Sequence, residues 1–169
     1  MMRGSASICA SCTIGDIICQ GLQISNARNA RKKAPTFDLW RTASFATSGL
    51  LVMGPLSYSI LTVCTKVVPG SSTAAIVGRV GLITALEPAR LATFIGAHSL
   101  ISGRSMQEAR HKVECETIPT YLRSCLVWPP FLFVAFRFLR HENRIPLMAS
   151  IGCVWNTYMS YVTSRQANR

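Results

Sequence analysis

Residues Ile76–Ile101 read IVGRVGLITALEPARLATFIGAHSLI. A bilayer core is crossed by a helix of about 20 mostly apolar residues, and this stretch is long enough. Only Arg79, Glu87 and Arg90 carry full charge within it. The run neither alternates nor stops after about 10 residues, as an outer-membrane barrel strand would. It therefore predicts a membrane-spanning helix.

Four more stretches of the same character lie on either side: Ser5–Ile24, Thr42–Cys64, Ile118–Leu139 and Ile145–Thr163. Polar, basic or Pro/Gly-bearing connections separate them. Of the 169 residues, 49% are hydrophobic and only 15% charged, where soluble domains average about 25% charged. Mean hydropathy is +0.29. These values exclude a disordered chain and disfavour a water-soluble globule. Residues 1–169 read as a single polytopic membrane domain of the all-α class. The first stretch lacks a leucine-rich centre and carries Asp16 and Gln20, so it does not read as a secretory signal.

The net charge of +11 comes from 18 Lys+Arg against 7 Asp+Glu. Most of the basic residues fall between apolar stretches, as do Arg28, Arg31, Lys32, Lys33 and Arg41. That pattern suits loops held on one membrane face. A nucleic-acid binder would show a continuous basic face, and no such partner is expected. If Ile118–Leu139 does not cross, 12 Lys/Arg lie on one side and 4 on the other; if all five stretches cross, the split is 10 to 5. The stronger asymmetry favours four spans with an additional interfacial helix, and five spans is the alternative.

Helices in lipid associate through close packing of small residues. Ser7, Ser11, Gly15 and Cys19 form one such stripe; Gly81, Ala85 and Ala89 a second; Gly152, Asn156 and Ser160 a third. Pro55 and Pro88 each remove a backbone donor inside a helix and predict a bend. The Trp128-Pro129-Pro130 run predicts a kinked or surface-lying helix. Ionisable groups at membrane depth face the protein interior or a water-filled cavity. Asp16 and Gln20, one turn apart, serve either to bridge helices or to line a polar path. Glu87 and Arg90, three apart, either neutralise each other or form part of a cavity wall.

Catalytic patterns are weak. Seven cysteines is an odd count, and most lie in apolar runs. Cys9 and Cys12 have C-x-x-C spacing without a βαβ context. Three scattered histidines give no metal spacing, and no phosphate loop or nucleophile elbow occurs. The reading is a non-enzyme with no cofactor and no metal.

Taken in order, these residues resemble the Mpv-seventeen / PMP-twenty-two family of small mitochondrial and peroxisomal membrane proteins. Gly15-Asp16 with Gln20 is similar to its G-D-x-x-x-Q. Asp38, Arg41 and Thr42 match D-x-x-R-T. Gly54-Pro55, Pro88 with Phe94, Gly103-Arg104-Ser105, Trp128-Pro129, Arg144 and Trp155-Asn156 follow at family spacing. The chain departs from the pattern at Tyr58, Ile60, Leu61, Leu82, Ile83, Leu132, Ala135, Leu139 and Arg140. Many of these are polar in the family.

The resemblance implies an organelle membrane, the mitochondrial inner membrane before the peroxisomal one. It also implies a poorly selective channel for small metabolites or ions that contributes to organelle homeostasis. The expected architecture is a kinked bundle of four transmembrane helices. Asp16, Gln20, Glu87 and Arg90 are the expected polar lining. The alternative is a non-conducting scaffold or assembly factor. Expected partners are membrane lipids, small solutes and a second copy of the chain.

Overall fold

A computed structural model describes residues 2–139 and 141–164, with side chains for residues 6–139 and 150–164. The described residues hold helices and short turns and no strand. The helices are α1 (Met2–Asn29), α2 (Leu39–Ser48), α3 (Gly54–Val67), α4 (Thr73–Ile101), α5 (Met106–Phe138) and α6 (His141–Ser164). Among the described residues, three segments are long and apolar enough to cross a membrane: Ala6–Asn29, Leu39–Val67 and Thr73–Ile101.

The second of these is continuous through a π-helical segment, Gly49–Met53, that joins α2 to α3. Pro55 explains it. Proline has no N–H to give the carbonyl four residues back, and its ring crowds that carbonyl. The helix widens just before it, and the Gly54 N–H reaches the Gly49 carbonyl instead. Pro88, by contrast, sits inside an α4 that stays helical throughout.

The chain turns sharply between α3 and α4. Gly70 takes φ +101° there, a left-handed conformation that side chains disfavour. The Arg79 guanidinium fastens this turn, donating to the Val68 and Gly70 carbonyls at 2.9 Å each.

The largest departure from the sequence reading is α5. The connection expected over Ser102–Thr117 is mostly helix, and the Pro129-Pro130 pair does not break it: one helix runs from Met106 to Phe138 through Pro119, Pro129 and Pro130. It lies antiparallel along α4. Gly96 meets Val113, Glu87 meets Ser124, and Arg79 stands over the Phe136 ring at 5.6 Å. Packing against a neighbour along the whole length holds together a helix that its prolines weaken.

A capping box starts α5. Ser105 Oγ accepts from the Glu108 N–H at 3.2 Å, and a Glu108 carboxylate oxygen accepts from the Ser105 N–H at 2.8 Å. The Ser105 backbone N–H, and then its hydroxyl, hold the Glu108 carboxyl below its usual range. The stabilisation is therefore present above that range and fades as pH falls through the lowered value. Ser105→Ala is expected to cost about 1 kcal/mol, read as a lower thermal midpoint in detergent.

Counting α2, the π segment and α3 as one rod, five rods form a ring in the order α1, α2–α3, α4, α5, α6. The last closes against the first, and α6 runs parallel to α1: Ser11 meets Asn156, and Asp16 meets Ser160. The first and third small-residue stripes face each other across this seam. Gly15 is the tightest point, where an added Cβ would stand 2.8 Å from the Asn156 and Thr157 backbone. The second stripe behaves differently: Gly81, Ala85 and Ala89 are exposed on the outside of α4.

Candidate functional site

Asp16 is fully buried and sits in a closed polar knot where α1, α2 and α6 meet. Asp38 caps α2, accepting from the Arg41 N–H at 3.0 Å, and so sets the direction of the next two side chains. Arg41 Nε lies 2.9 Å from Asp16 Oδ1. Thr42 Oγ1 donates to Oδ2 at 2.6 Å, and Ser160 Oγ donates to Oδ1 at 2.5 Å. Gln20 Nε2 donates to Oδ2 at 2.8 Å, while Gln20 Oε1 accepts from the Asp38 N–H at 2.7 Å. Each charge and amide in this knot thus has partners inside the protein.

Glu87 and Arg90 form a second buried pair on α4. Arg90 Nε donates to Glu87 Oε2 at 2.7 Å, and Arg90 Nη1 reaches Ser57 Oγ at 3.3 Å and Met53 Sδ. Ser124 Oγ of α5 donates to Glu87 Oε1 at 3.2 Å.

These two polar centres are not joined. Glu87 and Arg90 lie in the wall of a central cavity of about 510 Å³. Every rod contributes to that wall, with Ser11, Ser57, Glu87, Trp128 and Trp155 as one residue from each. Asp16 and Gln20 are not among its lining residues. Between cavity and knot the bundle is filled by Phe45, Leu91, Phe94, Ile95 and Met159, each at most 1% exposed. The expected four-residue lining is therefore two separate features. Glu87 and Arg90 border open space, and Asp16 and Gln20 bind three helices together.

Trp128 and Trp155 face each other at 6.1 Å, edge to face, and Pro129 and Asn156 complete that side of the wall. Asn156 also donates to Ser11 across the α1–α6 seam at 2.9 Å. Gly54 is buried at the start of α3. The side chain of Arg144 lies outside the described residues.

One further group escaped the sequence reading, and a second, His98, which helix spacing places on the Glu87 face as cavity wall, is buried and not among the lining residues. Lys112 is 1% exposed and donates to the Thr163 carbonyl near the end of α6. Its position on a helix was foreshadowed by Ser105-x-x-Glu108, which is the capping-box signature. His98 lies against Phe45 and Phe94 and contacts Ser48 Oγ through Nδ1 at 3.1 Å; no spacing rule would have paired it with Ser48. Among the described residues no group of three metal-binding side chains occurs.

Sequence comparison fits this architecture. The pattern of the Mpv17 / PMP22 family matches residues 99–160. Protein SYM1 of Kluyveromyces lactis is 30% identical over 157 residues, covering 89% of this chain and 76% of its own length. The chain belongs to the Mpv17 / PMP22 family. The mitochondrial inner membrane protein Mpv17 of Danio rerio is 24% identical over 158 residues, 90% of this chain and 87% of its own. The PXMP2/4 family protein 4 of Dictyostelium discoideum is 24% identical over 152 residues, 89% and 80%. No solved structure matches. The chain is accordingly a helical protein of the mitochondrial inner membrane rather than the peroxisomal one.

Within this family setting, the matched stretch 99–160 carries α5 and the start of the α1–α6 seam. It holds Trp128, Trp155 and Asn156 from the cavity wall and Ser160 from the knot. Glu87 and Arg90 lie outside it.

Proposed function

We propose that the protein is a non-enzymatic channel for small solutes across the mitochondrial inner membrane. The observation that carries this reading is the cavity of about 510 Å³ walled by every rod, with the Glu87–Arg90 pair at its border. Solute sites of this size are ordinarily concave, largely apolar and furnished with a few fixed polar groups. The apolar filling at Phe45, Leu91, Phe94, Ile95 and Met159 closes the bundle beyond the cavity, so conduction requires these side chains to move apart. That filling is also the feature favouring the second reading, a scaffold that does not conduct.

Flux from liposomes containing purified protein distinguishes the two. Release of small solutes above empty vesicles is expected, and its charge preference is expected to shift when Glu87→Gln or Arg90→Gln removes one fixed charge. No release under any applied voltage or pH would leave the scaffold. Unchanged selectivity in both variants would remove Glu87 and Arg90 from the conducting path.

A further inference from the structure

The charge at the cavity border sums to zero, and its surroundings are apolar. Glu87 and Arg90 face each other within one helix, their side chains 7% and 13% exposed. Around them are Met53, Ile60, Ile83, Leu132 and the two tryptophans. An ion of either sign entering such a space gives up water and meets no net opposite charge, which is costly. A molecule whose own charges cancel loses less and can align its dipole with the pair.

The prolines add a second observation. Pro88 and Pro129 have no N–H for the carbonyls four residues earlier. Those carbonyls belong to Thr84 and Cys125, both residues of the cavity wall. At both places the helix that walls the cavity lacks one backbone donor. Arg90 supplies guanidinium donors, and the Ser57 and Ser124 hydroxyls already touch the pair from α3 and α5. The same small region offers donors, acceptors and an apolar bed.

We propose that the cavity is a binding site for net-neutral amphipathic small molecules, zwitterionic or uncharged with a compact apolar body, and that it discriminates against ions of either sign. This rests on the channel reading only for the step of release to the other side; binding stands apart from it. In the zwitterionic case the ligand carboxylate lies toward Arg90 and its ammonium toward Glu87, while the apolar body rests against Trp128 and Trp155.

Both tryptophans line the cavity, so their emission reports occupancy without any need for transport. Trp40 is exposed on α2 at 66% and is removed as Trp40→Phe. Full-length protein in nanodiscs is titrated with four ligands sharing an isobutyl body: leucine, neutral N-acetylleucinamide, anionic N-acetylleucine and cationic leucinol. Saturable emission changes are expected for the two net-neutral ligands at least about tenfold tighter than for the ions, a difference of about 1.4 kcal/mol. Glu87→Gln should narrow the gap for the anion, and Arg90→Gln for the cation.

Anion or cation binding as tight as leucine in the protein with both charges intact would overturn the proposal, as would the absence of any saturable change. That comparison needs no substitution at Glu87 or Arg90. Liposome release separates the two readings. Saturable leucine binding without leucine release supports the site and removes the channel. Equal release of leucine and N-acetylleucine keeps the channel and overturns the selectivity.

Discussion

Asp16→Ala is expected to destabilise the bundle by about 3 kcal/mol, the lower end of the range for orphaning one member of a buried ion pair. The side chain is fully buried, and three helices converge on its two oxygens. Alanine leaves the Arg41 guanidinium without its counter-charge and the Thr42 and Ser160 hydroxyls without this acceptor, while the Gln20 amide keeps the Asp38 carbonyl at 2.9 Å. Arg41 is 19% exposed, and partial access to water keeps the loss toward the lower figure. Arg41→Ala is expected to cost a similar amount, because it strands a carboxylate. Removing both should cost less than the sum, since neither charge is then alone. Midpoints of thermal unfolding in detergent, followed through loss of helix, check all three. A loss under about 1 kcal/mol for Asp16→Ala would show that the knot is not holding the helices together.

The parts of this knot that were legible in the sequence are those within one helix. Asp16 and Gln20 stand one turn apart, and four-residue spacing brings them together in any helix. Glu87 and Arg90 were legible for the same reason. The stripes on α1 and α6 were visible too, although which stripe faces which was not. What stayed hidden are the pairings between distant segments. Arg41 reads as one more basic residue beside a loop, and only the folded chain turns it from loop charge into the partner of Asp16. Asp38 entered through family likeness; its physical role, capping α2 so that Arg41 and Thr42 point at α1, needs the helix start to be known.

The misplaced element was α5. The stretch Ser102–Thr117 is polar and charged, and hydropathy alone reads such a stretch as a connection rather than as the first turns of a helix. Val113, Ser124 and Phe136 meet α4 in antiparallel order, and that neighbour is invisible from the hydropathy of one segment. The cavity was illegible for a related reason. It belongs to no single helix, so no pattern in one segment encodes it.

The seam between α1 and α6 supplies the other large effect, and glycine at two positions of one helix gives it opposite signs. At Gly15 an added Cβ would stand 2.8 Å from the Asn156 backbone carbon, its Cβ and the Thr157 nitrogen. Those atoms belong to the backbone of α6 and its first side-chain carbon, so no rotamer change relieves the clash. Gly15→Ala must push the two helices apart, and overpacking of this kind costs about 1–3 kcal/mol. Gly15→Leu is expected to exceed that and prevent a stable fold. The push would also lengthen the Ser160–Asp16 and Asn156–Ser11 hydrogen bonds on either side, so the seam and the knot should weaken together. Gly21, six residues on in α1, is exposed and has nothing within 4 Å of an added Cβ. There alanine gains helix propensity alone, and Gly21→Ala should raise stability by about 0.5–1 kcal/mol. Unfolding midpoints of the two alanine variants in the same detergent make the comparison. Equal responses at both positions would mean that α1 and α6 do not touch at Gly15. A fall at Gly15 with a rise at Gly21 is what direct contact between the two helix backbones requires.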